Sequence, residues 1–266
     1  MNDVDAKAFE AAEQLFDSGH REQAFEQLRR LIQAETDPEV RAGLLFIEAD
    51  WLGAIDQLTQ ARRVFEAARA LLPDTEHARQ QIALNEADLL IGEGRYEDAL
   101  KITRWLWGIY APYENDPTYS EMCSAVRYRE GVALAKLERY KEAYPLLRTY
   151  SESDLPKQST FYFFFGLASA DVGDWKNAKP SLANAIDMGI PDNCQPAAWF
   201  YLGVTEYNLE AHARALHCFR HCESQMLQGS PSDRMEILSW LEASCRSLGL
   251  EAEADCYAEK LKTHHS

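Results

Sequence analysis

Positive charge is scarce in this chain. Against 43 Asp and Glu there are only 27 Lys and Arg, a formal net charge of −16 at pH 7. Such a surface repels phosphate backbones and anionic headgroups, which argues against nucleic acid and favours a basic or neutral protein segment as partner. Cysteine is sparse and unpatterned: Cys123, Cys194, Cys218, Cys222, Cys245 and Cys256 form no short, even framework. A chain of 266 residues can bury a core without staples, so these thiols are expected to be reduced. No apolar run approaches the roughly 20 residues that span a bilayer. The N-terminus lacks the basic start and apolar stretch of a secretory signal, so the expected location is the cytoplasm. Also missing are a Gly-rich phosphate loop after a strand, a His-Glu-x-x-His pair and a nucleophile elbow. The many carboxylates stand at helical spacings that pair with Arg or Lys. Neither an enzyme nor a cofactor is expected.

What is present is a repeated phrase, a bend followed by polar residues and an Ala that opens a helix. It reads Asp17-Ser18-Gly19-His20-Arg21-Glu22-Gln23-Ala24, then Gly92-Glu93-Gly94-Arg95-Tyr96-Glu97-Asp98-Ala99. It returns as Lys136-Leu137-Glu138-Arg139-Tyr140-Lys141-Glu142-Ala143 and as Asp171-Val172-Gly173-Asp174-Trp175-Lys176-Asn177-Ala178. Each copy follows one amphipathic helical stretch and precedes another, which is helix–turn–helix repeated.

Small residues recur in register at Ala12, Ala49, Ala87, Gly131, Gly166 and Gly203. A second set follows at Ala24, Ala61, Ala99, Ala143, Ala178, Ala215 and Ala254. Large apolar residues come later in each unit, at Leu28, Phe65, Leu147, Leu182 and Phe219, and Pro73 closes one unit. In these features the chain resembles the tetratricopeptide repeat family, whose unit is about 34 residues. The resemblance implies an all-α, right-handed superhelical solenoid of antiparallel helix pairs, without sheet. Residues 1–266 then form a single array of about seven units, opening near 5, 42, 80, 124, 159, 196 and 235. The last unit, 235–266, departs from the pattern with Glu242 at a small-residue position and is expected to cap the array. From Gln80 to Ser124 the spacing exceeds the standard unit by about ten residues, which predicts an insertion loop over about 108–122. Pro145 and Pro180 fall inside second helices and predict a kink or a late start there.

The resemblance also assigns the first helix of each unit to a concave groove, through unit positions two, five, nine, twelve and thirteen. That points to Phe9, Glu13, Phe46, Asp50 and Asp88 in the early units and to Tyr128, Phe163, Phe200 and Tyr207 in the later ones, with Phe164 at the margin of Phe163. In the run Phe161–Phe165, Tyr162 and Phe165 are expected in the core and Phe161 against the following unit. The groove is then aromatic and partly acidic, suited to a peptide or amphipathic helix with apolar anchors and basic residues. The acids at Glu13 and Asp50 would repel a terminal carboxylate, so the family variant that clamps one is not expected. The implied function is a non-enzymatic interaction scaffold, an adaptor or chaperone-like holder of a protein segment. Self-assembly into a homo-oligomer and a small ligand in the groove are the alternatives. One metal-like constellation exists, His217, Cys218, His221 and Cys222, within an arc of about 140° on one helix. Structural zinc takes ligands from separated elements, so the expected reading is buried cysteines with exposed histidines and no metal.

Overall fold

The structure, a computed structural model, describes residues 3–153 and 157–264. Fourteen α-helices and one short 3-10 turn make up its regular structure, and the described residues contain no strand. The helices are α1 (Asp3–Asp17), α2 (Arg21–Ala34), α3 (Pro38–Ala54), α4 (Leu58–Leu71), α5 (Glu76–Gly92), α6 (Tyr96–Tyr110) and α7 (Ser120–Lys136). They continue as α8 (Tyr140–Ser151), α9 (Ser159–Asp171), α10 (Trp175–Met188), α11 (Gln195–Asn208), α12 (His212–Gln228), α13 (Pro231–Ser247) and α14 (Glu251–His264). These are the helix pairs of a tetratricopeptide-like repeat.

Local chemistry sets the ends. Every turn within a pair reverses through one residue in the left-handed region: Gly19, Asp56, Gly94, Glu138, Gly173, Glu210 and Gly249. Several entries are capped. Asp37 accepts from the Glu39 and Val40 amides, Thr75 from Ala78, and Ser230 and Asp233 cap each other reciprocally. These caps explain why α3, α5 and α13 begin about one turn before the repeat pattern alone suggests.

The chain divides into two compact units, Met1–Ala133 and Leu134–Ser266, parted within α7. In the first, a core built on Phe25, Leu28, Phe46, Trp51, Leu52 and Phe65 joins α1 to α5. Phe16 stacks on Trp51 at 4.5 Å, and Phe25 meets Trp51 edge-on at 5.7 Å. In the second, Phe200, Phe219, Ile237, Leu238 and Leu241 anchor the core around α11 to α14. The second-helix alanines, Ala24 through Ala254, are fully buried at all seven repeats, because the paired helices cross there. First helices of successive pairs also touch, α3 on α5 in one unit and α9 on α11 on α13 in the other.

Three expectations change. The irregular part of the insertion is narrower than 108–122. Helix α6 keeps its hydrogen bonding through Tyr110, whose hydroxyl donates to Gln80 at 2.6 Å. A 3-10 turn at Ala111–Tyr113 follows, and α7 already begins at Ser120. Of the kink or late start expected at Pro145 and Pro180, the late start does not occur: α8 and α10 run through both prolines; each proline removes one amide donor, while Leu147 and Leu182 just beyond them stay fully buried. In the aromatic run, Phe161 packs on Tyr150 of the preceding helix α8 at 5.2 Å. Tyr162, expected in the core, is the half-exposed member. The run advances by 100° per residue, so one of five consecutive rings must face away from both flanking helices.

Candidate functional site

The first-helix residues named above fall into two groups, one in each unit. In the first unit, Asp50 on α3, Asp88 on α5 and Arg129 on α7 converge. Arg129 donates from Nε and Nη2 to one Asp88 oxygen, at 2.9 and 2.6 Å. Asp50 has no ion pair of its own among the described residues. It keeps contact with solvent, yet protein surrounds it closely enough to push its carboxyl up from an ordinary 3.8 to about 7. Desolvation is the main cause, and Asp88 adds to it while Arg129 opposes it. On α1, Glu13 is exposed but raised by partial burial and by its neighbours Asp17 and Glu10, and Asp17 is raised by burial. Neither Glu13 nor Asp17 has a cationic partner among the described residues. Phe9 and Tyr128 are half-buried, and Phe46 is buried in the core.

Asp50 makes stability depend on pH. An acid whose folded value lies above its unfolded value binds more protons when folded. Stability is therefore full below about pH 4 and declines as pH rises toward about 7. Replacing Asp50 with Asn is expected to flatten that decline. Urea melts of both proteins at several pH values would show it, and parallel slopes would count against the assignment.

In the second unit the predicted anchors Phe163, Phe164 and Phe200 are covered, at 6%, 6% and 4% exposure. Phe163 and Phe164 pack against each other edge-on at 5.0 Å, the Lys136 ammonium lies 5.1 Å from the Phe164 ring, and Phe200 belongs to the core around Phe219. Packing against other helices covers Phe200, through Phe219 of α12, and a count of helical positions cannot foresee such contact. Tyr207 is half-buried. Its hydroxyl lies 3.2 Å from Ser247 Oγ and its ring meets Trp240 at 5.3 Å.

A different pair carries the exposed chemistry of this unit. Tyr140, at the start of α8, and Tyr201, on α11, meet edge to face at 6.5 Å. Both phenols are raised, first by burial. Tyr201, Glu138 and Asp171 add to the shift at Tyr140, and Glu236, Asp171 and Glu138 add to that at Tyr201. Glu236 is itself raised by burial and then by Asp233. Glu138, Asp171 and Glu236 are solvent-exposed and make no ion pair among the described residues. Two aromatic faces ringed by uncompensated carboxylates form a setting for a cation.

Sequence reasoning missed Arg129, Tyr140 and Tyr201. Arg129 and Tyr201 share the sixth position of their units, next to the fifth position that was used; taking both positions would have found them. The cysteines of the metal-like constellation also part from its histidines. Cys218 and Cys222 are buried, with the thiols pushed up to about 11 and about 12 chiefly by burial, while His217 and His221 are exposed. No group of three or more His, Cys, Asp or Glu able to hold a metal ion occurs among the described residues.

No protein-family profile matches the chain, and no curated protein matches it. Solved structures do. A MamA variant aligns over 71% of this chain and 99% of its own, at 19% identity and a TM-score of 0.54. Aspartyl phosphate phosphatase F from Bacillus subtilis aligns over 97% of this chain and 69% of its own, at 15% identity and a TM-score of 0.51. YrrB, described as a TPR protein with an unusual peptide-binding site, aligns over 69% of this chain and 84% of its own at 17% identity, with a TM-score of 0.49. The likeness to the first two is one of fold.

Proposed function

We propose that this chain is a non-enzymatic scaffold that holds basic segments of other proteins against the first-helix faces of its repeats. One observation carries the reading: acids on second helices are largely paired, whereas a set on and beside the first helices is not. Glu26 pairs with Arg30, Asp98 with Arg95 and Lys101, and Glu142 with Arg139. Among the described residues Glu13, Asp17, Asp50, Asp171 and Glu236 have no such partner, and burial raises four of them, Glu13, Asp17, Asp50 and Glu236. Carboxylates held in crowded surroundings without a cation are under electrostatic tension, and an incoming Lys or Arg relieves it. The Tyr140–Tyr201 pair adds faces on which such a side chain can lie. The partner is then a peptide or amphipathic helix carrying apolar anchors between basic residues.

The test uses a labelled amphipathic peptide rich in Lys and Arg, with fluorescence anisotropy as the readout. Binding is expected to weaken with salt. It should fall roughly tenfold or more in the charge-reversed protein Asp171→Lys plus Glu236→Lys, and likewise in Glu13→Lys plus Asp50→Lys. Equal affinity in variants of unchanged helicity would sink the proposal. A second reading, assembly of copies of the chain, rests on aromatics left open near the insertion: Trp105 is 51% and Tyr113 46% exposed. Light scattering over a range of concentrations separates the two.

A further inference from the structure

On α12, His217 and His221 stand one turn apart on the exposed face, with their Nε2 atoms 3.1 Å from each other. That separation suits two ligands of one ion. With metal–nitrogen bonds of about 2.0–2.1 Å and bond angles between square and tetrahedral, the two nitrogens lie about 2.9–3.3 Å apart. The rings are held in place: Trp199 of α11 stacks on His221 at 4.3 Å with planes 13° apart, and meets His217 edge-on at 6.4 Å. His221 and Trp199 also line a cleft of about 320 Å³ with Asp192, Gln195, Pro196 and Gln225. Gln225 continues the i, i+4 row of His217 and His221 along one helix face. Asp192 is exposed, makes no ion pair among the described residues, and places a negative charge on the same cleft.

We propose that His217 and His221 chelate a borderline divalent cation such as Zn²⁺ or Ni²⁺. Each imidazole presents its Nε2 lone pair once its proton resides on Nδ1, so the ion takes the place of the contact the two nitrogens now share. Imidazole nitrogen selects such ions over Mg²⁺ or Ca²⁺, which prefer oxygen. The cysteines next to these histidines take no part. Cys222 lies with its Sγ 3.7 and 3.4 Å from the Cys218 and Phe219 carbonyls inside the core, so the site is not a four-ligand structural centre. Two protein ligands leave coordination positions for water or for a side chain of a bound partner, the arrangement of an open site. Asp192 and Gln225 line the cleft with His221, where they can accept hydrogen bonds from metal-bound water, with Asp192 also offsetting the ion's charge.

Calorimetric titration of the full chain with nickel or zinc chloride alone tests this. One saturable equivalent is expected for the unaltered protein. His217→Ala and His221→Ala should each weaken it roughly tenfold or more, and Asp192→Asn should have a smaller effect. Because Trp199 lies on His221, Cu²⁺ should quench part of the tryptophan emission, and that part should vanish in Trp199→Phe. The absence of a saturable site overturns the proposal. So does binding that persists undiminished in the double variant His217→Ala plus His221→Ala, which would place the ion on other residues.

Discussion

Phe219→Ala is expected to lower the unfolding free energy by about 3–5 kcal/mol, the range for emptying a fully buried aromatic site. Phe219 has no exposed surface. Trp240 stacks on it with centroids 5.8 Å apart, and Phe200 lies at 5.9 Å. Neighbours so placed cannot collapse into the space without giving up their own contacts. The ring also lies against Gly203. A Cβ at that position would lie 2.6 Å from Phe219 Cε1 and 2.7 Å from Cδ1. Gly203→Ala should therefore destabilise by about 1–3 kcal/mol of overpacking, less the roughly 0.5–1 kcal/mol that Ala gains over Gly within a helix. The two substitutions share one space, so their effects should not add. Phe219→Leu combined with Gly203→Ala should recover part of the loss. Urea unfolding followed by circular dichroism gives each value, and strict additivity across the four proteins would show that the ring and the glycine do not meet.

The second large effect concerns a buried charge. Glu206 on α11 is 5% exposed, with Lys179 Nζ of α10 and Arg214 Nε of α12 each 3.0 Å from its carboxylate. Substituting Met for both cations leaves a carboxylate in the interior without a counter-charge. The expected cost is about 1–3 kcal/mol, less than for a fully enclosed pair because the cations lie partly in water, which can move in where they were. A further Glu206→Leu change should restore much of it, since an apolar side chain needs no partner. If the double Met variant melts in urea at the same midpoint as the parent, the carboxylate must already be hydrated.

The candidate site was less legible than the scaffold. The unit positions of Asp50 and Asp88 mark them, but not Arg129, which pairs with Asp88 and leaves Asp50 without an ion pair among the described residues. Phe163 and Phe200 stand at groove positions of their units, yet both are buried, Phe200 against Phe219 of α12. The half-buried pair Tyr140 and Tyr201 comes from a turn-proximal position and a sixth position, neither of which the pattern marks. In the row His217-Cys218-Phe219-Arg220-His221-Cys222, adjacent residues point about 100° apart, and only the packing of α12 decides which pair is buried.

The sequence by itself determined that the chain is a series of helix pairs, where each pair turns and which small residues sit at the crossings. Those features are local, since helical period, turn chemistry and close approach are all written within some thirty residues. Only the tertiary structure decided which first-helix side chains keep solvent, which acids lack a cation and which histidines stand free of the core. These depend on what the next helix pair sets against each side chain. That neighbour comes from another repeat, and no spacing within one unit specifies it.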